Sequence, residues 1–271
     1  MDKVKLGKTG IDISPIGLGT VKFGRNEGVK YPQGFEIPDD KHLADILALA
    51  KSLGINMLDT APAYGKSEET LGRLLDGQRD DWVIVGKVGE EFEDGQSHYA
   101  FTPDHFKISI ERSLQRLKTD YIDVLLIHSD GNDLDILNND ALIKTMRDFK
   151  EQGLVKAIGA STKTVAGGIK TLELMDVAMA TYNAEYTDEK PVLDYAAKNN
   201  KGVLLKKALS SGHNTNIEDA LRFAFDHKGT SGIIIGTINP DHLKQNIDIT
   251  DRVLSNLHQK INYDVLGPSL F

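Results

Sequence analysis

Short β-branched or aliphatic runs recur along this chain, each followed by an amphipathic segment, and that alternation constrains its fold more than any other feature. The runs are Pro15–Gly19, Asn56–Ala61, Val83–Val88, Tyr121–His128, Val155–Ser161, Val177–Asn183, Gly202–Lys206 and Gly232–Thr237. Near-continuous apolar runs of this length suit parallel strands covered on both faces. The intervening segments carry helix signals. Asp39 or Asp40 caps a helix through Leu53, Ser67-Glu68-Glu69 opens another, and Thr102-Pro103-Asp104 opens a third that runs to Leu117. A fourth covers Asp140–Gln152 with Gly153 as its stop. Asn239-Pro240-Asp241 begins the last, with proline where a missing N–H costs nothing. Eight such units over 271 residues, without a Pro/Gly/Ser linker, predict one α/β domain spanning 1–271. That domain is a (β/α)₈ TIM barrel rather than an open doubly wound sheet. Lys3–Ser14 reads as an N-terminal β-hairpin around Lys8-Thr9-Gly10 that closes the barrel bottom.

Composition narrows the function. The formal net charge is -8 and no basic segment stands out, so nucleic acid is not an expected partner. The chain has no cysteine, which removes disulfides, thiolate metal sites and a cysteine nucleophile. The N-terminus lacks an apolar leader and no stretch approaches a membrane span, so a cytoplasmic monomer away from membranes is expected.

Several motifs mislead. Gly7-Lys8-Thr9 imitates the end of a phosphate-binding loop, but Asp2 stands where the upstream glycine belongs. Gly17-Leu18-Gly19 begins like a dinucleotide fingerprint, yet a loop follows instead of a helix. No HExxH, metal-ligand spacing or GxSxG elbow occurs, so no metal is expected.

The chemistry lies elsewhere. In a barrel of this kind the C-terminal strand ends converge on one site. The second, third and fourth strands end in Asp59, Lys87 and His128, and Tyr64 lies one loop beyond Asp59. Burying Asp59 and Lys87 is costly unless they pair. A lysine beside Tyr64 favours its phenolate, lowering the pKa from a reference near ~10. Tyr64 then serves as a general acid toward a substrate oxygen, with His128 giving a second hydrogen bond. Taken singly, each residue has an equally good structural role: a turn carboxylate, a loop aromatic, a snorkelling lysine or a strand cap.

The segment Gly54–Gly65, with Asp59-Thr60-Ala61 and Tyr64-Gly65, resembles the G-x-x-x-x-D-T-A-x-x-Y-G signature of the aldo-keto reductases. The resemblance continues through Glu68–Gly72, Lys87, Ser113–Leu117, Tyr121–His128, Gly153–Ser161 and Gly236–Asn246. It implies reversible NAD(P)H-dependent reduction of an aldehyde or ketone to an alcohol. Tyr64 would be the acid tuned by Lys87 and Asp59, and His128 would orient the carbonyl. It also implies a cofactor shell. Thr237, His242, Gln245 and Asn246 would surround the adenosine portion, with Gly236 leading into the phosphate-binding helix. Leu209 and Ser211 would flank the pyrophosphate, while Gly19, Thr20 and Val21 line the nicotinamide side.

This sequence departs from the family pattern at four of those positions. Ser161-Thr162 replaces a usual Ser-Asn, Asn183 replaces a glutamine, and Lys206 stands where an aromatic often stacks on nicotinamide. The arginine often used for a 2′-phosphate matches His242, with Lys244 nearby, which favours NADP(H) over NAD(H). Candidates for the substrate pocket are Phe23 and Tyr31 in the first loop, Phe92 and Tyr99 in the third (Glu90–Thr102), and Ser129. The absence of a long C-terminal segment implies an open pocket or a small polar carbonyl. Two alternatives stand beside this reading: a Schiff-base enzyme using Lys206 or Lys207, and a non-catalytic cofactor-sensing subunit on the same fold.

Overall fold

The computed structural model describes residues 1–29, 34–210 and 216–266. The chain begins with a hairpin of β1 (Val4–Lys5) and β2 (Asp12–Ile13), paired antiparallel. There follow β3 (Ile16–Gly19), α1 (Asp40–Ser52), β4 (Met57–Asp59), α2 (Ser67–Leu74) and β5 (Val83–Val88). Next come β6 (Glu90–Glu93), β7 (Gln96–Tyr99), α3 (Pro103–Leu117), β8 (Ile122–His128), α4 (Asp133–Leu137) and α5 (Asp140–Glu151). The chain continues through β9 (Val155–Ser161), α6 (Val165–Leu174), β10 (Val177–Thr181), α7 (Lys190–Asn199) and β11 (Gly202–Lys206). It proceeds to α8 (Ile217–Asp226), β12 (Gly232–Ile235) and α9 (Pro240–Leu266). β3, β4, β5, β8, β9, β10, β11 and β12 pair in that order, all parallel, and β12 returns to β3 to close the barrel.

The (β/α)₈ barrel expected from the alternation is the one observed. Its interior holds Met57, Val83, Val85, Val124, Leu126, Ala157, Val177, Met179 and Leu204, and Leu6 and Ile13 of the first hairpin join that cluster. Burying such aliphatic side chains contributes roughly 1.5–3 kcal/mol each, which fastens the hairpin under the barrel. Gly7, at φ +54, turns the hairpin against β11, where an added Cβ would lie 2.5 Å from Gly202 N. Outside the barrel a second cluster packs helices on strands, with Leu43, Ile46, Phe106, Ile110, Leu142, Met146, Leu193 and Leu221 among its members.

The helix starts follow their local signals. Asp39 accepts from His42 N, Thr102 from His105 N, and Asn139 from Ala141 N and Leu142 N. Gly153 ends α5 at φ +76. Ser67 behaves differently, because its hydroxyl meets Thr20 Oγ1 at 2.7 Å and Thr60 Oγ1 at 3.0 Å instead of capping α2.

Three strands stop short of their runs, at Asp59, Thr181 and Ile235, where the chain turns into the loops of the barrel mouth. The segment Glu90–Thr102 is not a plain loop, since β6 and β7 pair antiparallel within it. The signal was present in Asp94-Gly95, both at positive φ (49° and 78°), the pairing that favours a two-residue hairpin turn.

Candidate active site

β4, β5 and β8 are neighbours in the barrel, so their C-terminal ends bring Asp59, Lys87 and His128 to one mouth. Lys87 Nζ lies 2.5 Å from Asp59 Oδ1 and donates to Thr60 O at 3.1 Å. The Tyr64 hydroxyl donates to the other Asp59 oxygen at 3.3 Å. Tyr64 ends a short 3₁₀ turn, Pro62–Tyr64, that swings its ring over Lys87, with Nζ 4.7 Å from the ring centroid. The His128 ring stands edge-on to that of Tyr64, centroids 6.3 Å apart. The four residues expected to work together are therefore brought together. Thr20 steadies the group from β3, its N and Oγ1 both donating to Asp59 O at 2.9 and 2.8 Å.

Sequence reasoning missed Glu90. Its carboxylate Oε2 lies 2.7 Å from His128 Nδ1, at ion-pair distance though without the alignment of a linear hydrogen bond. Ser97 Oγ donates to Glu90 Oε1 at 2.6 Å across the β6–β7 hairpin. Burial opposes ionisation of Glu90, but His128 and the hydroxyls of Ser97 and Tyr99 outweigh it and hold the carboxyl at about 2. Burial pushes the His128 imidazole below its usual value, with Glu90 pulling the other way. The resulting state at neutral pH is an anionic Glu90 against a neutral His128.

The remaining expected residues divide. Phe92 reaches the mouth, stacked under the Arg25 guanidinium at 3.4 Å from the ring centroid. Phe23 does not; it is 1% exposed and belongs to the core between barrel and helices. Ser129 is buried, donating to Asp133 Oδ1 at 2.5 Å and accepting from Gly131 N, which makes it part of a clasp rather than a pocket wall. Asn183 is also engaged, its Nδ2 donating to Lys207 O and its Oδ1 accepting from Glu185 N and Tyr186 N. One Nδ2 hydrogen is thus committed to the backbone, and the second is left for a further acceptor. Tyr99 is exposed at the hairpin edge. Tyr31 and Ser211 lie outside the described residues.

A nicotinamide dinucleotide fits what remains of the shell. Within that shell, Thr162 Oγ1 beside the β9 end and Asn246 Oδ1 on α9 are buried without a hydrogen-bond partner among the described residues. Gly19 and Gly236 run close, an added Cβ at Gly19 meeting Gly236 Cα at 3.7 Å, and leave a smooth strand-end surface. Beyond Gly236, α9 presents its N-terminus, with Thr237 and Asn239 holding the entry turn. His242 and Gln245 are exposed there, Val21 is half-buried by β3, and Leu209 packs its apolar side against the core. Lys206 Nζ donates to Ser161 Oγ at 2.9 Å and Thr162 O at 2.7 Å, so an ammonium occupies the rim beside that pair. Burial lowers Lys206 to about 8, against the raising effect of Glu189.

Residues 15–219 match the Aldo/keto reductase family. The chain belongs to that family. A solved structure from Pseudomonas aeruginosa assigned to the aldo-keto reductases is 51% identical, covers 93% of this chain and 95% of its own, and superposes with a TM-score of 0.87. An uncharacterised oxidoreductase of Bacillus subtilis, YqkF, is 34% identical over 166 residues, 60% of this chain and 49% of its own length. The NADH-specific methylglyoxal reductase of Escherichia coli is 26% identical over 258 residues, 90% of this chain and 72% of its own. The aligned region thus spans about half the length of the first of these curated relatives. Among the described residues no helix is long and apolar enough to cross a membrane.

Proposed function

We propose that this aldo/keto reductase family member is an NAD(P)H-dependent carbonyl reductase that interconverts an aldehyde or ketone and its alcohol, with Tyr64 as proton donor. The observation that carries the reading is the buried Lys87–Asp59 pair with the Tyr64 hydroxyl on the same carboxylate and His128 beside it. Asp59 anchors Lys87 and orients the Tyr64 hydroxyl. The Lys87 ammonium favours the phenolate left when Tyr64 gives its proton to the substrate oxygen. His128 faces the same oxygen and orients the carbonyl. In the reverse direction Tyr64 accepts the alcohol proton. The nicotinamide, when bound, supplies or takes the hydride at the carbonyl carbon.

Thr162 and Asn246, whose buried side-chain oxygens have no partner among the described residues, and the α9 N-terminus near Gly236 and Thr237 are the residues we assign to holding the cofactor. Lys244, exposed on the first turns of α9, offers a positive charge to a 2′-phosphate, with the exposed His242 ring beside it as a hydrogen-bonding group, which favours NADP(H) over NAD(H). The protein is read as a single-domain cytoplasmic monomer acting on a small-molecule carbonyl, in keeping with its lack of cysteine.

Fluorescence titration with NADH and NADPH, followed by turnover on an aldehyde panel, tests this. Tyr64→Phe is expected to keep cofactor binding and lose turnover by roughly 10²–10⁴-fold. Failure of both cofactors to bind, or unchanged turnover in the variant, overturns the mechanism.

A second reading rests on Lys206 alone. An amine lowered to about 8 is partly unprotonated near neutral pH and can condense with a carbonyl, releasing water, to an imine. Borohydride trapping of an aldehyde on wild type but not on Lys206→Met supports it, and no trapping removes it.

A further inference from the structure

Glu90 has no part in the proton-transfer set described above, yet it is nearly buried against His128. It is placed there by the turn at Asp94-Gly95, which folds β7 back on β6 and puts the Ser97 hydroxyl on Glu90 Oε1. Oε2 is left 2.7 Å from His128 Nδ1, an atom sealed from water although the His128 side chain as a whole is 19% exposed.

We propose that Glu90 is a positioning residue that keeps the His128 proton on Nδ1, so that His128 gives a hydrogen bond to a carbonyl oxygen only as the imidazolium. A neutral imidazole carries one N–H, and an anionic oxygen 2.7 Å from Nδ1, though off the N–H line, repels a lone pair there and attracts the proton. Nε2 is then a lone-pair acceptor in the neutral ring. It suits an alcohol O–H in the oxidative direction and becomes a donor for reduction only on protonation.

The groups facing His128 define this balance. Glu90 from β6 supports the imidazolium, while Lys87 from β5 and Lys206 from β11 oppose it. Tyr64 stands edge-on from its 3₁₀ turn, and Asp59 lies behind Lys87. Removing the Glu90 charge leaves two lysines unopposed, so the ring becomes harder to protonate.

The inference rests on the reductase reading for its consequence, but its test does not. Histidine-labelled protein without cofactor is titrated by ¹⁵N NMR as wild type, Glu90→Gln and Glu90→Asp. Wild type is expected in the Nδ1–H form above its pKa. Glu90→Gln is expected to titrate lower by about one unit or more, with Glu90→Asp in between. A wild-type ring in the Nε2–H form, or an unchanged pKa in Glu90→Gln, overturns the proposal. Should Glu90→Gln fail to fold, the wild-type tautomer and Glu90→Asp still decide. For reduction, kcat/KM of wild type is expected to fall as pH rises through the NMR-measured pKa, and the Glu90→Gln limb to move acidic. A limb that does not move with the NMR pKa also overturns it. Absence of any wild-type turnover counts against the reductase reading and leaves the NMR result standing.

Discussion

Lys87 reaches Asp59 across the β4–β5 junction with Nζ 2.5 Å from Oδ1, and the two side chains are only 1% and 5% exposed. A pair this dry is expensive to break from one side, because the survivor keeps its charge without its partner. Lys87→Met is expected to destabilise the fold by about 3–5 kcal/mol in urea denaturation. Adding Asp59→Asn removes the orphaned charge, so the double variant is expected to be more stable than Lys87→Met while still lacking turnover. A double variant no more stable than Lys87→Met would refute the pairing argument.

Ser129 and Asp133 give a contrasting case. Asp133 accepts from Ser129 Oγ, Lys163 N, Thr164 N and Thr164 Oγ1, so it ties the end of β8 to the loop after β9. Asp133→Ala leaves buried donors unmet and is expected to cost about 2–4 kcal/mol. Ser129→Ala is expected to leave kcat and KM within about twofold of wild type. A KM rise of about tenfold or more in Ser129→Ala would restore the pocket role expected from the sequence.

Lys206 gives a pH signature. Its folded value is about 8, below the ordinary lysine value. Below pH 8 both folded and unfolded states carry the charge and the folded state bears the full cost of burying it. Between pH 8 and the ordinary lysine pKa the unfolded state holds more protons, so this residue's contribution to stability rises with pH. Urea midpoints of wild type and Lys206→Met should therefore converge in the variant's disfavour on moving from pH 7 to 9.5 (about one and a half units above the folded value). A difference between the two proteins that is independent of pH would contradict the shift.

Much of the architecture was legible because its signals are local. Asp39 and Thr102 cap the helices they precede, and the apolar runs need only neighbouring residues to declare a strand. The mouth was legible in part. Asp59, Lys87 and His128 sit at consecutive strand ends, a placement that follows from strand order once a barrel is inferred. Glu90 was not, although Asp94-Gly95 announced the hairpin that folds it back. Nothing in the local pattern says which remote ring a carboxylate meets.

The same limit accounts for Phe23 and Ser129, and for the second role Asn183 takes on the backbone. Each has a side chain chemically suited to a pocket, but whether a polar atom remains available depends on partners far along the chain, such as Lys207 for Asn183. The alternating units, the Asp39 and Thr102 caps and the strand ends that carry Asp59, Lys87 and His128 are written in short-range periodicity and capping. It took the folded chain to set Glu90 on His128, to lay Lys206 across Ser161 and Thr162, and to tie the Asn183 amide to Lys207 O. Those contacts arise where separate loops meet over the closed barrel, and it is closure that sets which polar groups lose water together.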